Sequence, residues 1–158
     1  MRISTRRALQ IATATALVAG AIAFQRSYTF GLNLTPSLPG TLFLIHKGEP
    51  VQRGDLVAFR WPGGGPYAAG TTFVKALVGI PGDNVERFGR AVFVNETPFG
   101  VLKDKTRTGA PLAPGPTGTL PPDRFHVYAP HPDSLDSRYA LTGWISRTQI
   151  IGKAHALF

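Results

Sequence analysis

From Ala8 to Gln25 the chain carries no charged side chain, and arginines flank that run on both sides: Arg2, Arg6 and Arg7 before it, Arg26 after it. Such a run sits at the short end of what spans a bilayer as a helix, roughly 17 to 25 residues. Apolar residues occur all round it, which a one-sided helix of a soluble domain would not show. The N-terminal arginines place that end in the cytoplasm and the rest of the chain across the membrane. Ala21-Ile22-Ala23 resembles a small-x-small cleavage site, so a removed signal peptide competes with a retained anchor. We take residues 1–27 as an anchor or signal segment and residues 28–158 as the exported domain.

Beyond the anchor no helical period persists. The chain holds 18 Gly and 14 Pro, which punctuate short apolar stretches. Thr41–Ile45, Leu56–Trp61, Thr71–Ile80 and Phe125–Tyr128 read as strands. Val85–Arg87 and Ala91–Val94 flank Phe88-Gly89-Arg90 as a hairpin. The segment from Gly109 to Pro122 reads as a loop without regular structure. Trp144-Ile145 and Gln149–Ala156 read as one or two closing strands. The expected fold is mostly β, a sheet or open barrel behind one N-terminal transmembrane helix.

Composition narrows the chemistry. With no cysteine there is no disulfide, no thiolate metal site and no thiol nucleophile. His46, His126, His131 and His155 lack ligand spacing, so no metal or other cofactor is expected. The net charge of +8 suits anionic lipid as well as nucleic acid. The basic residues are scattered, and no basic helix or zinc finger accompanies them, so membrane lipid is the expected partner and nucleic acid is not.

Three blocks carry candidate chemistry. Ser37 lies between Pro36 and Leu38-Pro39, where proline restricts the backbone and can fix a hydroxyl's direction. Lys75 lies inside the apolar stretch Phe73–Val78. Burial there favours the neutral amine, which makes a lysine usable as a base near neutral pH. In Ser134-Leu135-Asp136-Ser137-Arg138 an extended backbone would aim Ser134, Asp136 and Arg138 to one side, with Asp136 and Arg138 able to pair. Each block alone also reads blandly, as a turn serine, a solvent-facing lysine and a polar loop.

Taken in order, these blocks resemble the bacterial type I signal peptidases, the serine-lysine membrane proteases of the S26 class. The chain is most similar to their conjugative-transfer, TraF-type branch. The resemblance runs through the anchor, Thr35-Pro36-Ser37-Leu38-Pro39-Gly40, Arg53–Phe59, Val74-Lys75 through Asp83, and Ser134–Tyr139. Ala129–Asp133 stands where general signal peptidases carry Gly-Asp-Asn, and Asp83–Asp123 is shorter than their second domain. Both departures favour the specialised branch.

The resemblance implies a signal-peptidase-like β domain and a membrane-bound endopeptidase. In it Ser37 is the nucleophile, Lys75 the general base and Ser134 the serine that orients the lysine. Thr35 assists the oxyanion hole beside the Ser37 N–H. Asp136 and Arg138 form a structural ion pair, and Asp136 also counts as an active-site residue in the conjugative branch. The implied partner is a prepilin or other signal-bearing precursor, cleaved at the outer face of the bacterial inner membrane, with cyclisation of the product as an option. Leu38, Leu42, Phe43 and Trp61 are candidates for an exposed apolar surface beside Ser37. The rival readings are an inactive structural part of a conjugation or secretion apparatus, a self-cleaving repressor-type protease and an anchored nucleic-acid binder.

Overall fold

The structure is a computed structural model that describes residues 4–33 and 37–158. Among the described residues one α-helix, α1 (Thr5–Ser27), is followed by eleven strands, with a short 3-10 helix (Arg147–Gln149) before the last. α1 has no buried residue, and it is long and apolar enough to cross a membrane.

The strands divide into two antiparallel sheets. The larger is a curled half-barrel of seven strands. It contains β1 (Tyr28–Leu32), β2 (Leu42–Lys47), β3 (Leu56–Arg60), β4 (Thr72–Gly79), β9 (Arg124–Tyr128), β10 (Ile145–Ser146) and β11 (Ile150–Ala156). Their spatial order is β1-β2-β11-β3-β4-β9-β10. The smaller sheet contains β5 (Asn84–Phe88), β6 (Ala91–Val94), β7 (Thr97–Val101) and β8 (Gly118–Thr119), in the order β7-β6-β5-β8.

Bulges bend the large sheet at Ile150/Gly152 of β11 and at Leu77/Gly79 of β4. A bulge adds a residue to one strand and increases its local twist. At Gly152 a Cβ would lie 1.9 Å from the His46 carbonyl oxygen, so only glycine lets β11 pass that close to β2.

Alternation along the central strands sends side chains into separate cores. Val57, Phe59, Trp61, Leu77, Phe125, Val127 and Ile145 form one cluster. Val78, Val85, Val94, Leu120 and Tyr139 help form a second, which joins the two sheets. Leu38, Phe43, Ile45, Ala58, Ala129 and Ala154 form a third at the β2-β11-β3 end.

The mostly β reading and the expected β5–β6 hairpin match this architecture. Two strands differ from expectation. β1 follows α1 without a linker, and β7 contains Pro98. Gly109–Pro122 is also less free than expected, because Gly118 and Thr119 pair with β5 and Pro114 bridges to Tyr139.

Candidate active site

Ser37 sits in the loop between β1 and β2, whose last pair is Leu32 with Leu42. It is buried, as is Leu38 after it. Leu38 packs into the third cluster beside Ala58, Val74 and Ala129. The same cluster includes Val74, immediately before Lys75, and Ala129, just past β9. The Asn33 side chain donates from Nδ2 to the carbonyls of Leu38 (3.0 Å) and Gly40 (3.1 Å). Thr35, the expected oxyanion-hole residue, lies outside the described residues.

Lys75 occupies the middle of β4, opposite Val57 of β3. The β4–β9 register pairs Ala76 with Tyr128, so one further step places Ala129 beside Lys75. The side chain is only 4% exposed, and its Nζ stands 5.7 Å from the Phe73 ring centroid. Burial pushes its pKa from 10.5 down to about 8. The Asp136 charge pulls the value upward, and Arg138 adds a smaller push downward.

Ser134 and Leu135 have no regular structure, Asp136 to Arg138 form a bend and turn, and Tyr139 bridges to Pro114, so the segment is not one extended run. The expected ion pair is present all the same. Arg138 Nε donates to Asp136 Oδ1 at 2.8 Å and Nη2 to Oδ2 at 2.9 Å, a bidentate pair with both partners buried. Asp136 also accepts from the Ala129 N–H (3.1 Å) and the Arg138 N–H (3.2 Å). These four bonds occupy both carboxylate oxygens, and the Asp136 charge raises the Lys75 pKa. Tyr128 and Tyr139 flank the guanidinium, with Arg138 Cζ 4.9 and 5.7 Å from their ring centroids.

Ser134 is buried, and its Oγ has no hydrogen-bond partner among the described residues. Ser137 fastens the turn to β9 in both directions. Its N–H donates to the Val127 carbonyl (3.0 Å), and its Oγ accepts from the Val127 N–H (2.9 Å). Among the described residues no cluster of histidines and carboxylates could hold a metal.

The structure thus gathers Lys75, Asp136 and Arg138 into one electrostatic unit, and Leu38, the residue after Ser37, belongs to the cluster that includes Val74 and Ala129. It corrects the expected apolar surface, because Leu38, Phe43 and Trp61 are buried. Trp61 is covered by Phe73, stacked at 4.6 Å, and by Tyr67, edge-on at 6.2 Å. The exposed apolar side chains leading to Ser37 are instead Phe30 and Leu32 of β1. The sequence reading assigns no role to Asn33, Ser137, Tyr128 or Tyr139. Asn33 carried a signal, an amide with two donors at the mouth of a Pro/Gly loop.

Comparison with known proteins gives the chemistry a family. The family of signal peptidase, peptidase S26, matches residues 2–158. No curated protein is similar enough to count as a match. Among solved structures, the chain is similar to a signal peptidase I from Enterococcus faecalis V583. The identity is 22%, over 66% of this chain and 97% of that one, with a TM-score of 0.43. With a family match that runs from the anchor through the last strand, this chain belongs to the S26 signal peptidases, serine endopeptidases that process exported precursors.

Proposed function

We propose that residues 28–158 form a serine-lysine peptidase domain in which Ser37 is the nucleophile and Lys75 the general base. The observation that carries this reading is Lys75 itself. It is the buried amine of an apolar strand, its pKa lowered to about 8, on the sheet end where Leu38 anchors the Ser37 loop. A neutral amine takes the Ser37 proton as Oγ attacks the scissile carbonyl. The resulting ammonium then protonates the leaving amine, and water hydrolyses the Ser37 ester. The Ser37 N–H and the Thr35 hydroxyl stabilise the oxyanion; loss of one such donor typically costs about 2.7–4 kcal/mol of barrier.

Asp136 acts on Lys75 electrostatically from its pair with Arg138, and the buried Ser134 Oγ, unpartnered among the described residues, is left to accept from the amine. The anchor keeps the domain at the outer face of the inner membrane. The substrate is a signal-bearing precursor, in this branch a conjugative prepilin. Attack on the ester by the substrate's own N-terminal amine, in place of water, would release a cyclic product.

The test is prepilin processing in membranes by wild type, Ser37→Ala and Lys75→Ala, followed by mass spectrometry. Cleavage by wild type alone is expected. A product lighter than the linear fragment by one water identifies cyclisation. Unchanged processing by both variants would sink the dyad and promote a structural role in a secretion apparatus.

A further inference from the structure

We infer that Asn33 is a positioning residue for the nucleophile, its side-chain amide clamping the loop that carries Ser37; this rests on the reading of Ser37 as nucleophile. The loop leaves β1 at Leu32 and rejoins the sheet at Leu42. Its neck is closed by the Asn33 N–H donating to the Thr41 carbonyl at 2.8 Å. Across the mouth, Asn33 Nδ2 spends its two hydrogens on Leu38 O and Gly40 O. Both partners are carbonyls, which only accept, so the nitrogen and not the oxygen of the amide must face them. Leu38 is held twice, by this bond and by its side chain in the third cluster. Ser37 precedes it by one peptide bond, so the direction of the Ser37 backbone follows from how Leu38 is fixed.

A second tie holds the far side of the loop. The Phe158 carbonyl accepts from the N–H groups of Thr41 (2.5 Å) and Leu42 (3.3 Å). Gly40, with φ of +97°, makes the turn there, and a Cβ on it would stand 3.0 Å from that same oxygen. Pro39 between the two clamped carbonyls has no N–H to offer. Among the described residues, Asn33 supplies two of the side-chain hydrogen bonds that hold the loop. Catalysis needs such fixing, since a nucleophile misplaced by 1 Å can lose about 10²-fold in rate.

The experiment uses the full chain in detergent, with a quenched-fluorescent peptide spanning a precursor cleavage site. Wild type, Asn33→Ala, Asn33→Asp and Ser37→Ala are compared by kcat, KM, pH profile and melting temperature. Asn33→Asp keeps the shape but replaces both donors with an acceptor that repels the two carbonyls. Both Asn33 variants should lose kcat by up to about 10²-fold, with KM within about twofold of wild type. The acid limb of the pH profile should keep its midpoint, and aspartate should be no better than alanine. Wild-type kcat in both variants, a loss confined to KM, or aspartate outperforming alanine would overturn the clamp. So would loss of the melting transition in both, which makes Asn33 a folding residue. Ser37→Ala separates the two claims. If it still cleaves, the nucleophile reading falls; if it is dead while the Asn33 variants match wild type, the clamp alone falls.

Discussion

Lys75, buried in the middle of β4, destabilises the fold whenever its amine is charged. The unfolded chain binds the Lys75 proton up to about pH 10.5, the folded chain only up to about pH 8. Below pH 8 both states are protonated, and folding carries the full cost of burying the ammonium. Between about 8 and 10.5 the unfolded state holds more protons, so stability rises with pH across that window. Replacing the amine by an apolar chain of similar length removes the cost. Lys75→Met should therefore gain about 1–3 kcal/mol at pH 7 while losing all cleavage. The gain should shrink as pH climbs from 8 toward 10.5, which chemical denaturation of both proteins at several pH values will measure. In wild type, the proposed dyad predicts that kcat/KM rises with pH through an acid limb near 8, since a lysine base works only as the neutral amine. Flanking residues made this lysine legible in the sequence, since Phe73-Val74 and Ala76-Leu77-Val78 leave an amine little chance of reaching water. Trp61 was not legible, because the segment that covers it, Tyr67 to Phe73, reaches it only after the Pro62–Pro66 turn folds back.

At the scale of elements, the turn bearing Asp136 and Arg138 is held from behind by the Pro-rich strap of the Gly109–Pro122 segment. Gly115 N–H donates to the Arg138 carbonyl at 2.6 Å, and the Ala140 N–H donates to Ala113 O at 2.9 Å. A Cβ at Gly115 would lie 2.3 Å from the Ser137 carbonyl oxygen. Backbone cannot yield there as a flexible side chain would, so Gly115→Ala must push strap and turn apart. A destabilisation of about 1–3 kcal/mol is expected, of the size seen for overpacked interiors. Activity should fall further than stability alone explains, because Asp136 moves with the turn. Thermal melts paired with kcat at a temperature where the variant is fully folded will separate the two effects. The strap shows why part of the fold escaped the sequence. β2, β3, β4 and β9 announce themselves as apolar runs between turn residues. β7 does not, because Pro98 argues against a strand and its hairpin turn places Asn95 and Glu96 at φ of +46° and +66°, where Asn-Gly is the usual pair. The insertion of β11 between β2 and β3 leaves no local mark at all.

For the whole molecule, the notable junction is Ser27 to Tyr28, where the helix becomes an edge strand with no linker between them. Lys47 Nζ donates to the Gln25 carbonyl in the last helical turn at 2.6 Å. Phe24 stacks on Tyr28 at 5.1 Å, and Tyr28 stacks on His46 of β2 at 4.6 Å. Tyr28 N–H also caps the helix through the Phe24 carbonyl. These contacts join the end of the helix to β1 and β2, and β1 runs on to Asn33 at the start of the Ser37 loop. Under the proposed anchoring and the proposed Ser37 nucleophile, this joint sets how far the reacting group stands from the bilayer. Inserting Gly-Ser-Gly-Ser between Ser27 and Tyr28 would break the stack and add a flexible reach of about 10–12 Å. A soluble peptide substrate does not sense that distance, so its kcat/KM should stay within about twofold of wild type. A precursor held in the same membrane does sense it. Its processing should slow by about tenfold or more, with cleavage spread over neighbouring bonds, as lost positioning predicts. Mass spectrometry of the products in proteoliposomes decides the matter. Equal rates and a single cleavage site in both proteins would make the helix a plain tether. Equal loss on the soluble peptide would mean instead that the insertion had damaged β1 and the loop it leads to.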